Sequence, residues 1–200
     1  MKKTIATLLM LLLAASLAFS QTPHKYGIKC AVVKTVTENR GGVKSYNTLW
    51  FDDYGAKEKN LTTMDMGAGM GVAEWKSVSV GDKTYNFDDS RKKVTTMDRI
   101  DLNYLDTENA VAKARKMTVL GNETVGGRPC VKIQEKVKQL IHTATVTSWV
   151  WQGIPIKYDI DNPESHTTLI EIVQQKSLPA STFEIPADYT IQEQKAPKKK

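Results

Sequence analysis

The chain has few of the residues on which catalytic and metal sites are usually built. Its 200 residues include three histidines and two cysteines. The histidines, His24, His142 and His166, match no metal-ligand spacing. No serine or cysteine lies in the strand–turn–helix pattern of a nucleophile elbow. The sequence therefore predicts a protein that is not an enzyme and that uses neither a metal ion nor a cofactor.

Motifs for phosphate and calcium binding are also missing. The glycine-rich stretch MDMGAGMGVAEW, residues 64–75, lacks the Gly-Lys-Ser/Thr ending of a phosphate loop, and no strand leads through it into a helix. The acidic pairs Asp52-Asp53 and Asp88-Asp89 match no calcium-loop pattern, so they are interpreted as solvated turn carboxylates. Nucleotide binding is excluded on these grounds, and calcium ligation is the alternative to solvated carboxylates at the two acidic pairs.

One long apolar run is present, at the N-terminus. MKKTIATLLMLLLAASLAFSQ has a basic start, a short apolar core and a small-x-small ending, which is the pattern of a bacterial secretory signal peptide over residues 1–20. The first cysteine, Cys30, lies well past the expected cut, so no lipid-attachment cysteine follows the signal. We expect a soluble exported protein, periplasmic or secreted, whose mature part has no transmembrane segment.

Positive charge is concentrated at the two ends of the chain. The formal net charge is +6, but six lysines lie in the signal peptide and in residues 194–200. The body between them has equal numbers of basic and acidic residues, which does not suit a nucleic-acid binder. Residues 21–193 are predicted to form a single domain, followed by a basic flexible tail over residues 194–200.

Strand patterns dominate the mature chain. Alternating and β-branched segments recur between Gly, Asn and Asp turn signals, which is typical of sequential antiparallel hairpins. One segment differs, because NYLDTENAVAKARKM, residues 103–117, has good helix formers and no glycine or proline. The predicted fold class is mainly β (α+β), a twisted antiparallel sheet with helix partly covering its concave side.

The two cysteines leave two alternatives open. Cys30 and Cys130 are an even pair in an exported chain, where a disulfide can form. Both lie in strand-like segments with apolar neighbours, which suits free buried cysteines as well. Spacing in the sequence does not decide between the disulfide and the two free thiols.

Large apolar side chains suggest a cavity. Trp149 and Trp151 are two residues apart, so in a strand they share one face. Methionines around the glycines of residues 64–75 are adaptable contacts for apolar partners and suggest a mobile flap. The alternative is that all of these side chains belong to an ordinary core. The candidate cavity-lining residues are Trp50, Met64, Met66, Met70, Trp75, Trp149 and Trp151.

Four stretches resemble a known family when taken together. TLWFDDYGAKEKN, GNETVGGRPCVKI, WVWQGIPIKYDI and STFEIPADYTI occur in this order. They resemble exported bacterial proteins of mostly unassigned function related to the periplasmic carriers and outer-membrane receptors of lipoproteins (LolA/LolB-like). The resemblance implies a strongly curved antiparallel sheet, an incomplete β-barrel, with one or more helices on its open side. It also implies apolar space between sheet and helices that holds acyl chains.

Two functional hypotheses follow from the sequence. The first is a non-enzymatic carrier of an apolar ligand, such as a lipid or a lipoprotein acyl chain. The second is an envelope protein that uses an exposed apolar patch to bind another protein. The resemblance does not extend to the ligand-release arginine of the carrier family, which matches none of the arginines here, since all lie in polar, turn-like or helix-surface contexts: Arg40, Arg91, Arg99, Arg115 and Arg128.

Overall fold

The computed structural model describes residues 24–67, 71–138 and 143–193. The predicted signal peptide, Met70, His142 and the predicted basic tail lie outside these residues. None of the helices in the described ranges is long and apolar enough to cross a membrane.

Twelve strands form one open sheet in the order β12-β6-β5-β4-β3-β2-β1-β11-β10-β9-β8-β7. All neighbouring strands are antiparallel except β12, which runs parallel to β6. The mainly β class is confirmed, and the unclosed sheet is consistent with the incomplete barrel expected. The strands are β1 (Ala31–Asn39), β2 (Lys44–Asp52), β3 (Lys57–Asp65), β4 (Val72–Val80), β5 (Lys83–Asp88), β6 (Lys93–Asp98), β7 (Thr118–Val125), β8 (Arg128–Lys138), β9 (Thr143–Trp151), β10 (Ile154–Asp161), β11 (Glu164–Gln174) and β12 (Thr190–Glu193).

The sheet consists of two meanders joined along one seam. Strands β1 to β6 are neighbours in sequence order, and so are β7 to β11. The first strand of the chain pairs with the eleventh, from Ala31 opposite Gln174 to Asn39 opposite Ser165. Residues 99–117 connect the two meanders.

The predicted helix over residues 103–117 is much shorter than expected. Within this segment the structure has the short helix α1 (Ala110–Ala114), whose N-cap Asn109 accepts a hydrogen bond from the Ala112 N–H at 2.8 Å. Helix formers alone do not set the length of a helix, because the backbone donors of its first turn need partners. Of the one or more helices expected over the concave side, the described part of this segment has α1 within mostly irregular backbone.

Side chains of the segment itself prevent a longer helix. The Asn103 carboxamide oxygen accepts from the Leu105 N–H at 2.9 Å, and the Asp106 carboxylate accepts from the Glu108 N–H at 3.2 Å. Such local turns offer the backbone an alternative to helical hydrogen bonds, which is why Asn and Asp disfavour helix interiors. The residues before α1 are consequently turn-like.

Strand register sorts the side chains into two faces of the sheet. Directly paired residues on neighbouring strands lie on the same face. We call the face with Phe51 and its partner Ala31 the Phe51 face, and the opposite one, with Trp50 and its partner Val32, the Trp50 face. Phe51 and Ala31 are completely buried and belong to the main hydrophobic core.

Two segments cover part of the Phe51 face. The Tyr26 ring packs on Phe51 with 4.3 Å between ring centroids. Residues 99–117 lie across β8, where the Tyr104 hydroxyl donates to the Glu135 carboxylate at 3.1 Å. This cover concentrates on the β7–β10 half and on the row of Phe51, so the rest of the face on β2–β6 keeps solvent-accessible side chains.

The C-terminal residues build a second core on the Trp50 face. Val78 and Val94 are buried on this face, although β4 and β6 lie far from the main core cluster in the sheet order. The buried Phe183, in the short 3-10 turn Ala180–Phe183, lies beside β3 and β4. The Tyr189 ring meets Phe87 edge-on at 5.4 Å. The end of the chain thus covers the face opposite to residues 99–117.

Candidate ligand-binding face

The tryptophans predicted to line one cavity lie on opposite faces of the sheet. Trp50, Trp149 and Trp151 are on the Trp50 face. Trp149 pairs with Lys157 of β10, and Lys157 pairs with Thr168 of β11. This row of paired residues continues across β1 to β2, where it lies on the same face as Trp50. Trp75 pairs with Thr62 on the Phe51 face. A single ligand lying on one face cannot contact both sets of rings.

Trp149 is enclosed by its own neighbours. Its side chain is 5% exposed, and its indole N–H donates to the Glu123 carboxylate at 2.8 Å. The ammonium groups of Lys157 and Lys132 lie 3.9 and 4.7 Å from the ring centroid, on the two neighbouring strands. The hydrogen bond from Trp149 lowers the pKa of Glu123 below its usual range. These contacts favour a packing role for Trp149, the alternative that the sequence left open.

The other two tryptophans of this face also have cations over their rings. The guanidinium of Arg128 lies 5.4 Å from the Trp151 centroid, and the ammonium of Lys59 lies 5.4 Å from that of Trp50. Trp151 is partly buried against the main core. Both rings are partly exposed on this face.

Trp75 and Met64 are the predicted site residues on the Phe51 face. Trp75 is 52% exposed. Met64 lies on the neighbouring strand β3, on the same face and two residues along from Thr62, the partner of Trp75. Met66 is 43% exposed in the turn between β3 and β4, where its N–H donates to the Gly71 carbonyl at 3.0 Å. The described residues of the predicted flap, 64–67 and 71–75, thus belong to the end of the β3–β4 hairpin.

Around Trp75 the Phe51 face carries mainly uncharged side chains, most of them not among the residues predicted from the sequence, and the paired Asp88 and Lys93 of β5 and β6 lie on the same face in the row of Trp75. Most of the uncharged ones form two cross-strand rows, one running over β2–β6 and one over β2–β4, and Met64 and Met97 lie on the same face outside these rows. We call this set the neutral platform: Asn47, Leu49, Asn60, Thr62, Met64, Trp75, Ser77, Asn86, Thr95 and Met97. The sequence of β3 already indicated part of this set, because Asn60, Thr62 and Met64 alternate with residues of the other face.

Several polar groups of the platform have spare hydrogen-bonding capacity. The Asn47 amide donates to the Thr62 hydroxyl at 2.9 Å. The Asn86 amide donates to the Met97 sulfur at 3.2 Å, and a thioether is a weak acceptor. Within the described parts of the chain, the Asn60 side chain has no hydrogen-bond partner. The platform can therefore both donate to and accept from a bound molecule.

A buried charge cluster borders the platform. The Glu58 carboxylate accepts from the Tyr26 hydroxyl at 2.5 Å, from Lys25 at 2.8 Å and from Arg99 at 3.0 Å. The Arg99 side chain is 5% exposed and also donates to the carbonyl of Gly55 at 2.6 Å. Burial, and then the charge of Glu58, raise the pKa of Tyr26 well above its usual range. The expectation that Arg99 is a polar surface residue was wrong, because the fold brings Glu58 to it from 41 residues away.

A second buried carboxylate anchors the other end of the covering segment. Glu135 is 3% exposed and accepts from Tyr104 and, at 3.0 Å, from the Arg115 guanidinium. Burial raises the pKa of Tyr104 above its usual range. Together Glu58 and Glu135 hold residues 99–117 at both ends on the Phe51 face.

Cys30 and Cys130 are both buried free thiols. Cys30 immediately precedes β1 and Cys130 lies on β8, and these two strands are separated in the sheet by β11, β10 and β9. At about 4.8 Å per strand this separation is far beyond the roughly 7 Å limit for a disulfide. Of the two alternatives left by the sequence, the structure has the free buried cysteines.

The described residues show no metal centre. Within the three described ranges, no group of three or more His, Cys, Asp and Glu side chains is arranged to hold a metal ion.

Comparisons with known proteins support the fold. No protein-family model matches the chain, and no curated protein sequence matches it. Among solved structures, the chain is similar to an uncharacterized conserved protein from Thermus thermophilus, with a TM-score of 0.51 and 7% identity over 84% of this chain and 93% of that chain. At this identity the likeness concerns the fold alone.

Two further solved structures are similar at lower TM-scores. One is the MucA/MucB complex of Pseudomonas aeruginosa, with a TM-score of 0.47 and 13% identity over 82% of this chain and 58% of that chain. The other is a LolA superfamily protein from Nitrosomonas europaea, with a TM-score of 0.33 and 12% identity over 82% of this chain and 92% of that chain. A LolA superfamily structure is thus among the solved structures to which the chain is similar.

Proposed function

We propose that the protein is an exported, non-enzymatic carrier that holds the apolar part of a lipid or of a lipoprotein acyl chain against the Phe51 face. The observation that carries the proposal is Trp75, a large ring that is 52% exposed on an otherwise well-defined strand face, next to Met64. Large aromatic side chains are normally packed, so a half-exposed one on a sheet face is a place for a contact.

The energy available at this site is sufficient for binding an acyl chain. Covering about 100 Å² of exposed Trp75 surface contributes about 2–3 kcal/mol, and each methylene of a bound chain contributes about 0.8 kcal/mol. Residues 99–117 leave this part of the face open, so a chain can lie there without displacing the main core.

Ligand binding to matched variants tests the proposal. Trp75→Ala is expected to weaken binding of a fluorescent fatty acid at least tenfold, with an unchanged urea unfolding midpoint. The matched control is Tyr46→Ala, since Tyr46 is also a half-exposed aromatic but lies on the Trp50 face. Equal affinity of wild type and Trp75→Ala, or no fatty-acid binding by the wild type, overturns the proposal.

A second candidate function rests on the end of the β3–β4 hairpin. Met66 and Val72 are exposed there, at 43% and 68%, and Val43, in the turn before β2, is 39% exposed at the same end of the sheet. Such a patch suits contact with another envelope protein. The double variant Met66→Lys, Val72→Lys is then expected to abolish a co-purifying complex while fatty-acid binding by Trp75 persists.

A further inference from the structure

We infer that a row of five hydroxyl side chains on the Phe51 face binds the ester carbonyls of an acylglycerol. We call these residues the hydroxyl row: Ser45, Thr37, Thr167, Tyr158 and Ser148. The inference rests on the proposed function, because it names the chemical class of the lipid that this face carries. It assigns the ester group to a part of the face that does not include Trp75.

The hydroxyl row crosses five neighbouring strands in a single line. Ser45 of β2 pairs with Thr37 of β1, which pairs with Thr167 of β11. Thr167 pairs with Tyr158 of β10, and Tyr158 pairs with Ser148 of β9. Neighbouring strands lie about 4.8 Å apart, so the line is about 19 Å long. Directly paired residues share a face, so the five hydroxyl groups lie side by side on the Phe51 face.

One hydroxyl group of the row is buried without a partner. Ser148 is 1% exposed, and its hydroxyl oxygen has no hydrogen-bond partner in the described part of the chain. The neighbouring Tyr104 hydroxyl donates its own proton to Glu135 at 3.1 Å. A buried hydroxyl group without a partner destabilises a fold, so native proteins contain few of them. An acceptor atom of a bound molecule would remove this cost.

The paired threonines of the row retain a further donor. The Thr37 and Thr167 hydroxyl oxygens are 2.7 Å apart, so one of the two hydroxyl groups donates to the other. The second hydroxyl group keeps its proton for another acceptor. Thr37 and Tyr158 are partly exposed, so a ligand can reach the row at these two positions.

The surroundings of the row favour an ester over a carboxylate. A carboxylate would lose its water there without gaining a cation, since Arg115 is already paired with Glu135 at 3.0 Å. An ester carbonyl accepts hydrogen bonds without carrying a charge, and the acyl chains attached to it cover apolar side chains. The residues two positions from Ser148 and Tyr158 along β9 and β10 are all apolar: Val146, Val150, Ile156 and Ile160.

The hydroxyl row begins beside the proposed acyl-chain site. Ser45 pairs with Met64 of β3, and Met64 pairs with Ala73 of β4, two residues along that strand from Trp75. A lipid with its ester group on the hydroxyl row can therefore extend a chain past Met64 onto Trp75.

Competition between an ester lipid and its ether analogue tests the inference on the chain from residue 21 onward. The probe is a bound fluorescent fatty acid, and the competitors are dioleoylglycerol and the diether dioleylglycerol, which differ in their two carbonyl groups. The ester is expected to displace the probe at a concentration about fivefold lower than the ether, since one neutral hydrogen bond contributes about this factor. In the triple variant Thr37→Val, Ser148→Ala, Tyr158→Phe this preference is expected to disappear.

Ser148→Ala alone keeps the test valid if the triple variant does not fold. It removes a hydroxyl group without a partner, so the urea unfolding midpoint should not fall, while the ester preference decreases about twofold or more. The matched control is Ser79→Ala, which should keep the full preference. Ser79 is also a buried serine of the Phe51 face, but it lies on β4 and is hydrogen-bonded to Thr84 at 2.9 Å.

The outcomes separate the inference from the proposed function. Equal displacement by ester and ether, with probe binding that depends on Trp75, overturns the inference and leaves the carrier function standing. An ester preference that survives both Ser148→Ala and the triple variant also overturns the inference. An ester preference that is lost in Ser148→Ala, with probe binding unaffected by Trp75→Ala, keeps the inference and overturns the placement of the acyl chain on Trp75.

Discussion

Trp75 and Trp50 point to opposite sides of the sheet, although a single strand, β3, separates the strands that carry them. Trp75 is half exposed on the Phe51 face, whereas Trp50 has the Lys59 ammonium over its ring on the Trp50 face. The two rings therefore lie on different surfaces of the same small region of the sheet.

This arrangement predicts which tryptophan senses a ligand. Binding of a lipid is expected to shift the fluorescence emission to the blue and to protect against acrylamide quenching, because the Trp75 ring leaves water. Both changes should be lost in Trp75→Phe and kept in Trp50→Phe. A ligand-induced shift that survives Trp75→Phe would place the ligand on another surface.

The buried pair of Arg99 and Glu58 predicts a large effect on stability. Their side chains are 5% and 6% exposed and 3.0 Å apart. Arg99→Met is expected to lower the free energy of unfolding by about 3–5 kcal/mol, because it leaves buried negative charge less well compensated. Adding Glu58→Gln should restore part of the loss, as measured by urea unfolding. The exposed pair of Lys83 and Asp98 is the control, and Lys83→Met should change the unfolding curve far less.

His166 predicts a pH dependence of stability. The hydrogen bond to Asp159 at 2.9 Å, and then the contact with Glu164 at 3.3 Å, raise the pKa of His166. The folded state therefore favours the protonated ring. The resulting stabilisation is fully present below the unfolded pKa of about 6.5 and is lost as the pH rises through the higher folded pKa.

Replacing the ring tests this dependence. In His166→Gln the decline of the urea unfolding midpoint as the pH rises above about 6.5 should be smaller than in wild type. Glu164→Gln should have an intermediate effect, since Asp159 remains in contact with the ring. Identical pH profiles for wild type and His166→Gln would show that His166 protonation is not linked to folding.

The two thiols predict slow chemistry in the folded protein. Burial raises the pKa of both Cys30 and Cys130, so less of the reactive thiolate is present at a given pH. Alkylation by iodoacetamide should be slow in native buffer and rapid in urea. Intact mass after purification without reductant should correspond to two free thiols. A mass lower by two hydrogens would indicate a disulfide, which the sheet order does not allow in the folded chain.

The strands and their order along the chain could be predicted from local signals. Alternation in β4 and β5 and the turn at Gly81-Asp82 indicate a hairpin, and Val80 to Lys83 close it as expected. The helix was overestimated because propensity does not register the competing side-chain turns at Asn103 and Asp106.

The candidate site was predicted only in part, because alternation does not say which face of a strand becomes covered. Trp149 and Trp75 have equivalent strand contexts in the sequence. Trp149 is enclosed because Glu123 and two lysines of other strands contact it. Trp75 is open because residues 99–117 cross a different part of the sheet. The sequence around a residue does not indicate such long-range partners. The pairing of Arg99 with Glu58 is another contact that it does not indicate.

The seam between β1 and β11 imposes an order on the folding of an emerging chain. β1 can form a hairpin with β2 at once, but its other edge stays unpaired until Glu164–Gln174 has appeared, more than 120 residues later. Contacts so distant in sequence form slowly. An exposed strand edge in the meantime invites pairing with other chains. The interval before the seam closes is therefore the period in which this chain most needs a chaperone or a delay in release.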